Sequence, residues 1–239
     1  MGPSISHRVS IAWPPSPPSE PTSTLVLTSP LGRFVDLRLT KDKPPSLSWA
    51  FYGVAHYWTD CKSRNHGSWS HEVDSRIIAL NLEPEPEAED DTGILKSLEN
   101  GDELEVGSMK DDSGVVREYE EVWRAEEPNP RVWKVWKFNH VADDAFNQGM
   151  MIRLGRWAQG IVRRGKILTS VRAQLVDMSG SEEPDDVVWR IEFIGGDKYV
   201  AEEMMSVLTE TYRSDESVGS QGDVPPGVWA LIESSDVTV

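Results

Sequence analysis

The segment "SWAFYGVAHYWTDCKSRNHGSWSHEVDSR" (Ser48 to Arg76) carries the clearest sign of the fold. Its two apolar runs, around "WAFYG" and "GSWSHEV", are short, rich in aromatic residues and separated by a polar stretch. Runs of this length between turn-forming residues are typical of β-strands. The segment therefore predicts two neighbouring antiparallel strands. It also holds three tryptophans, three histidines and the single cysteine of the chain, so it is the first candidate for a functional site.

The same pattern of short apolar runs between Gly, Pro, Asp and Ser clusters continues along the 239 residues. The predicted strands are "HRVSIAW", "STLVLTS", "RFVDLRL", "LSWAFYG", "GSWSHEV", "SRIIALN", "ELEVGSM", "VVREYEEVW", "RVWKVWKF", "MMIRLG", "KILTSVRAQLV", "VVWRIEFI" and "GVWALIE". Only "VAEEMMSVLTETY" (Val200 to Tyr212) has a helical composition. So many strands and so little helix predict an all-β protein built from barrels or sandwiches.

The composition limits the possible partners. Lys and Arg number 24 against 40 Asp and Glu, which gives a formal net charge of −16. A protein this acidic does not suit a nucleic acid or an anionic membrane as its main partner. The chain also has no run of about 18 apolar residues, and Cys61 alone cannot form an internal disulfide. We therefore expect a soluble protein of a reducing compartment, in the cytoplasm and also, as a second option, in the nucleus.

A boundary falls near the middle of the chain. The segment "RAEEPNPRVW" (Arg124 to Trp133) places two prolines and several charges between strand-like runs that are each rich in tryptophan. We predict an N-terminal β domain over residues 1–127 and a C-terminal β domain over residues 128–239.

Five segments, in this order, resemble the HRI family of fungal proteins, which were first described as casein-kinase-interacting proteins. The segments are "WAFYG", "GSWSHEVDSR", "GSMKDDSGVVREYEEVWR", "IRLGRWAQGIV" and "GVWALIE". The resemblance implies two consecutive lipocalin-like antiparallel β-barrels, one in each predicted domain. It implies no catalytic residues, and a fold does not by itself supply a function. Residues Val54 to Trp58 depart from the family pattern after "WAFYG", which indicates a specialised relative.

Metal binding and thiol chemistry are two alternatives for the histidine-rich segment. His56, His66 and His71 do not match a known ligand spacing such as a helical His-Glu-x-x-His. Cys61 lies in the polar run "TDCKSRN", with no oxyanion hole nearby in sequence. We therefore predict no metal and no cofactor, and histidines that are exposed on loops or hydrogen-bonded at a barrel rim.

An aromatic-lined pocket is the third alternative. Because side chains alternate between the two faces of a strand, Trp49 and Phe51 share one face, and Tyr57 lies opposite both His56 and Trp58. Small barrels usually fill their interiors with side chains. These rings therefore either pack a closed core or line a partly open cavity of the lipocalin type.

A similar pattern occurs in "REYEEVW". Tyr119 and Trp123 point to the same side of this predicted strand, with Glu121 between them. A carboxylate between two rings on an inward face needs a partner, which could be Arg76, Arg117 or a ligand.

The open-cavity alternative defines a predicted site in the N-terminal barrel. The predicted catalytic residues are Tyr57, His71 and Tyr119. The predicted ligand-binding residues are Trp49, Phe51, His56, Trp58, Trp69 and Trp123.

The leading functional hypothesis is that this barrel binds an apolar small molecule. As an enzyme it would be a cofactor-independent cyclase or isomerase of the pericyclase type in fungal secondary metabolism, with walls that hold a reactive conformer and one hydrogen-bond donor. The alternative, implied by the family name, is a non-enzymatic adaptor that binds a casein-kinase-type protein kinase or another protein. Its contacts would come from the acidic loops "EPEPEAEDDTG" and "SEEPDDV". A binding barrel without turnover is a third option.

Overall fold

The structure is a computed structural model that describes residues 2–79, 91–110, 114–139, 146–177, 187–209 and 228–235. The strands are β1 (Ser4–Ala12), β2 (Thr22–Thr28), β3 (Arg33–Thr40), β4 (Leu47–Thr59), β5 (Asn65–Trp69), β6 (Val73–Asp74), β7 (Asp91–Ser97), β8 (Glu103–Lys110), β9 (Val116–Glu126), β10 (Trp133–Asn139), β11 (Asn147–Leu154), β12 (Trp157–Arg164), β13 (Ile167–Asp177), β14 (Val187–Gly195) and β15 (Val228–Ser234). The helices are α1 (Ser75–Ala79) and α2 (Lys198–Thr209). The all-β prediction is confirmed, and α2 lies where the sequence predicted a helix.

Eight strands of the first half close into an antiparallel barrel. Around the ring they follow the order β1, β2, β3, β4, β5, β7, β8 and β9, and β9 pairs back with β1. The short strand β6 pairs separately with β4. Closure satisfies the backbone groups that an edge strand would expose and gives each strand an inner and an outer face.

Strand β3 shows how the two faces differ. Phe34, Asp36 and Arg38 alternate along its inner face. Val35 and Leu37 lie on the outer face and are completely buried, because the second half of the chain covers them. The fully buried pattern of β3 therefore reflects burial on both sides of the barrel wall.

The described residues of the second half form a six-stranded antiparallel sheet in the order β14, β13, β12, β11, β10 and β15. One face of this sheet packs on the outer surface of the barrel, where Ile152, Leu154 and Ile161 join the core of β2 and β3. Helix α2 covers the other face with its buried Met204 and Leu208. The second sheet is thus held between the barrel and α2.

The chain passes from one sheet to the other close to the predicted boundary. Strand β9 ends at Glu126 and β10 begins at Trp133. The two sheets share a hydrophobic core, so each contributes apolar surface that the other buries. The division into domains 1–127 and 128–239 stays a prediction. Within the described residues no helix is long and apolar enough to cross a bilayer.

Two polar side chains lie inside this shared core, in a cluster that we call the junction: Gln159 on β12 and Arg172 on β13, with the backbone of β2 and β3. Gln159 Nε2 donates to the carbonyl oxygens of Leu25 and Val35 at 2.9 and 2.7 Å. Arg172 donates to Gln159 Oε1 at 3.2 Å. Its guanidinium also donates to backbone carbonyls of β2 and β3, those of Ser23 and Leu37.

Candidate functional site

The interior of the barrel contains a cavity that opens to the surface. The volume of the cavity is about 90 Å³. Its aromatic lining consists of Phe34, Trp49, Phe51, Tyr57, Trp69, Tyr119 and Trp123. Its carboxyl groups belong to Asp36, Asp91, Glu103, Glu105 and Glu121. Tyr57 is 38% exposed and lies at the accessible part of this lining.

A network of buried ion pairs forms the floor of the cavity. Arg38 donates from Nε and Nη2 to Asp36 Oδ2 at 3.1 and 2.8 Å, and its Nη1 lies 3.3 Å from Glu121 Oε1. Arg8 Nη1 donates to the same Glu121 oxygen at 2.5 Å, and Arg8 Nε donates to Glu20 at 2.9 Å. Removing one partner from such a network would leave an uncompensated buried charge.

The floor leaves one polar atom unmatched. Asp36 is 2% exposed, and its Oδ1 has no hydrogen-bond partner among the described residues. Buried carboxylate oxygens normally accept at least one hydrogen bond. Asp36 also belongs to the lining of the cavity.

The guanidinium of Arg38 also lies over aromatic rings of the cavity wall. Its Cζ is 4.5 Å from the ring centroid of Trp49 and 5.5 Å from that of Phe51. Both distances are typical of cation–π contacts. The cavity wall therefore already holds one positive charge through its rings.

Glu105 lies on the wall in a different environment. Tyr119 Oη donates to its Oε1 at 2.6 Å, and Trp123 Nε1 donates to its Oε2 at 3.0 Å. No described residue forms an ion pair with Glu105. Burial, together with the negative charge of Glu121, raises the pKa of Glu105 to about 8, despite the hydrogen bonds it accepts and the charge of Arg38. Burial and the nearby Glu105 also raise the pKa of Tyr119 far above its ordinary range, so its hydroxyl keeps its proton.

Three glycines make room for these side chains. Gly67 on β5 pairs with Gly93 on β7, and Gly93 pairs with Gly107 on β8. A Cβ atom at Gly93 would lie 2.8 Å from Cγ of Glu105, and one at Gly107 would lie 2.6 Å from the hydroxyl oxygen of Tyr119. Such distances are too short for any larger residue, so the bare backbone provides the surface on which the wall side chains lie.

His71 lies behind the wall rather than in it. Its ring stacks on Phe51 at a centroid distance of 4.1 Å. Its Nδ1 is hydrogen-bonded to Asp74 Oδ2 at 2.9 Å, and its Nε2 is 3.3 Å from Asp91 Oδ2, an ion-pair distance with poor hydrogen-bond geometry. Burial lowers the pKa of His71, but the two aspartates outweigh this effect and raise it to about 9. His71 is therefore a cation at neutral pH and supports Phe51 from outside the cavity.

Most of the predicted site residues come together in this cavity. Those that line it are Trp49, Phe51, Tyr57, Trp69, Tyr119 and Trp123. The expectation that His56 and Trp58 also reach a pocket is not met, since both are exposed on the outer surface of the barrel. Trp58 stacks on His66 there, at a centroid distance of 5.2 Å. The reason is the strand alternation itself, which turns Tyr57 inward and both of its neighbours outward.

Sequence reasoning missed most of the charged part of the site. Asp36 and Arg38 occupy alternate positions of "RFVDLRL", and Glu103 and Glu105 occupy alternate positions of "ELEVGSM". Charged residues on one face of a strand usually face solvent, so the pattern alone does not separate an inner polar face from an outer one.

Cys61 and His66, considered above for thiol chemistry and metal binding, are not part of the cavity lining. Cys61 is exposed in the turn after β4. His66 Nε2 is hydrogen-bonded to Asp60 at 3.2 Å in the same hairpin. In the described part of the chain, no group of three or more His, Cys, Asp and Glu side chains is placed to hold a metal ion.

Comparisons with known proteins identify the family of the chain. A search of curated proteins gives no significant match. The crystal structure of the uncharacterized protein YLR301w from Saccharomyces cerevisiae matches with a TM-score of 0.70 and 18% identity, over 98% of this chain and 99% of that chain. At this identity the likeness shows the fold alone. The model of the family described as Protein HRI1 matches residues 4–233. The chain therefore belongs to the HRI1 family, as its sequence resemblance indicated.

Proposed function

We propose that the protein binds a small molecule in the interior cavity of its first barrel. The observation that carries this proposal is an incompletely filled barrel interior with an aromatic lining, which also includes Asp36, a buried residue with one unpartnered carboxylate oxygen among the described residues. A barrel of eight strands can fill its interior with side chains or hold one small ligand. A purely structural interior would be expected to satisfy its buried polar atoms from within the protein.

The lining supports an amphipathic ligand rather than a wholly apolar one. Rings such as Trp69 and Trp123 offer apolar contact area, whereas Asp36 and Glu105 offer polar contacts. An entirely apolar molecule would cover these carboxyl groups without giving them a hydrogen bond, which costs about 1 to 3 kcal/mol for each buried group left unpaired. The apolar ligand of the sequence-based hypothesis is therefore refined to one with an apolar body and a polar group.

Catalysis of a cyclisation or isomerisation stays a prediction. Tyr119, the most buried of the predicted catalytic residues, already donates a hydrogen bond to Glu105, and a substrate would have to replace that contact. Tyr57, whose pKa is raised by burial, is a neutral donor at the mouth. These residues support binding and orientation, and we assign no turnover to them.

The kinase-adaptor alternative also stays a prediction. Most of the loop "EPEPEAEDDTG" and nearly all of "SEEPDDV" lie outside the described residues. No observation on the described residues favours a kinase partner over the cavity ligand.

A retention experiment tests the proposed function. The purified protein is incubated with a small-molecule extract of its source organism and separated from free compounds, and what it retains is identified by mass spectrometry. Val26→Phe fills the cavity from β2, and Ile94→Phe adds the same ring to an exposed position on β7 as the matched control. We expect wild type and Ile94→Phe to retain the same compound and Val26→Phe to lose it. Equal retention by all three proteins, or none by wild type, would contradict the proposal.

A further inference from the structure

The cavity is lined by more carboxyl groups than cations. Among the described residues of the lining, Arg38 is the one basic side chain, against five carboxyl groups. It pairs with Asp36 and shares Glu121 with Arg8. Glu105 therefore has no ion-pair partner within the described residues. The carboxyl groups of the cavity floor are paired with arginines, whereas Glu103 and Glu105 on the wall have no ion-pair partner among the described residues.

A second, independent feature points in the same direction. Oδ1 of Asp36 is buried and unpartnered within the described ranges, although Oδ2 of the same carboxylate accepts two hydrogen bonds from Arg38. A carboxylate oxygen can only accept hydrogen bonds. Among the described residues, this one oxygen of Asp36 therefore lacks a donor, and Glu105 lacks an ion-pair partner.

The rings of the wall suit a positive charge as well. Tyr57 and Trp69 meet edge to face with their centroids 6.2 Å apart, and Trp123 donates its indole N–H to Glu105. Aromatic faces attract cations, and cages of aromatic rings with nearby carboxylates bind quaternary ammonium groups. Arg38, 4.5 Å from the ring centroid of Trp49, shows that this lining holds a cation in the same way.

We infer that the ligand of the cavity carries a positively charged amine, held between the carboxyl group of Glu105 and the aromatic wall. This inference rests on the proposed function and specifies its ligand. The cavity volume of about 90 Å³ fits an ammonium head group of a few heavy atoms, with the rest of the ligand extending toward Tyr57 and the mouth.

Binding of a cation would also displace a proton. Because the pKa of Glu105 is about 8, this carboxyl group is mainly protonated at pH 7 in the empty cavity. A bound ammonium favours the carboxylate, so the O–H bond of Glu105 breaks and its proton passes to the solvent. The other charged or titratable groups that face Glu105 or line the same cavity are Asp36, Arg38, Tyr57, Asp91, Glu103, Tyr119 and Glu121.

Three small probes of equal shape test the charge. They are choline, its neutral isostere 3,3-dimethylbutan-1-ol and the anion 3,3-dimethylbutanoate, each titrated into the full-length protein at pH 7 while tryptophan fluorescence is recorded. We expect choline to bind at least about tenfold more tightly than the neutral alcohol, the ratio that about 1.4 kcal/mol of added attraction produces. The anion should bind more weakly than either.

Two substitutions test whether Glu105 causes the preference for choline. Glu105→Gln keeps one acceptor oxygen for Trp123 and places an amide N–H₂ beside the Tyr119 hydroxyl, which can accept from it. Because it cannot ionise, it should abolish the preference for choline over the neutral alcohol. The control is Glu203→Gln, which alters a carboxylate that pairs with Arg164 on the second sheet. In wild type, calorimetry in buffers of different ionisation enthalpy should show close to one proton released per bound choline, and Glu105→Gln should release none.

The affinities of the wild-type protein for the three probes test the inference without any variant. Tighter binding of choline with proton release supports the inference. Equal or tighter binding of the alcohol overturns the cationic ligand but leaves the proposed function standing. Failure of all three probes to bind overturns the inference as well, and the extract experiment with Val26→Phe then judges the proposed function by itself.

Discussion

The junction and the cavity both bury charged side chains, and they differ in how these are matched. At the junction, Arg172 and Gln159 donate to four backbone carbonyls of the barrel wall, those of Ser23, Leu25, Val35 and Leu37. In the cavity, Asp36 has an unpartnered oxygen and Glu105 lacks a cation, among the residues that the structure describes. A satisfied polar network stabilises one arrangement, whereas an unsatisfied one costs free energy until something binds. The comparison teaches that buried charge stabilises the structure at the junction, whereas in the cavity it supports the proposed binding site.

The largest expected effect tests the structural role of the junction. Arg172→Ala leaves the carbonyl oxygens of Ser23 and Leu37 without this donor and opens a void in the shared core. We expect the free energy of unfolding, measured by urea denaturation, to fall by about 4 kcal/mol. Arg190→Ala, an exposed arginine on β14, is the control and should cost less than about 0.5 kcal/mol. A loss below about 1 kcal/mol for Arg172→Ala would show that the junction is not a stabilising network.

The second effect tests the contrasting role of Glu105. Its pKa is about 8 in the folded protein and 4.5 in the unfolded chain, so the native state binds the extra proton between these values. The contribution of Glu105 to the free energy of unfolding therefore falls as the pH rises from about 4.5 to about 8. Glu105→Gln removes this slope, and its stability relative to wild type should increase by about 3 to 4 kcal/mol between pH 5 and pH 8. A constant difference in urea denaturation at both pH values would contradict the raised pKa.

His71 should show the opposite sign. Its pKa is about 9 in the folded protein against an ordinary 6.5, so its ion pairs with Asp74 and Asp91 stabilise the fold fully below about pH 6.5 and are lost as the pH rises through 9. His71→Gln should therefore be less stable than wild type by about 3 kcal/mol at pH 6, and most of this difference should be lost by about pH 10. His56→Gln, on the outer surface, is the matched control and should change stability by less than about 0.5 kcal/mol at both pH values.

The smallest expected effect is a difference in ligand retention between variants on the outer and inner faces of the barrel wall at β4 and β5. Trp58 is 46% exposed on the outer surface, whereas Trp69 lines the cavity. Trp58→Ala should leave retention of the cavity ligand unchanged, and Trp69→Ala should weaken it about tenfold. Equal losses for the two variants, in the same retention assay, would place the ligand outside the barrel.

The sequence predicted the aromatic part of the site better than the charged part. Large rings such as Trp49 and Phe51 seldom stay in water, so their pattern on a strand already indicates an inward face. Asp36 and Glu105 gave no such signal, because a charged residue at an alternate strand position usually faces solvent. The pairing of Gly67, Gly93 and Gly107 was also invisible, since it depends on the register of three separate strands.

By itself, the sequence determined the all-β class, the position of helix α2 and the alternation that sends Tyr57 to one face and Trp58 to the other. These properties depend on local composition and on the two-residue period of a strand. Only the tertiary structure decided that Asp36 of β3, Glu105 of β8 and Glu121 of β9 meet inside one cavity. Their strands come together because β9 pairs with β1 and closes the ring, and closure depends on contacts between residues more than a hundred positions apart.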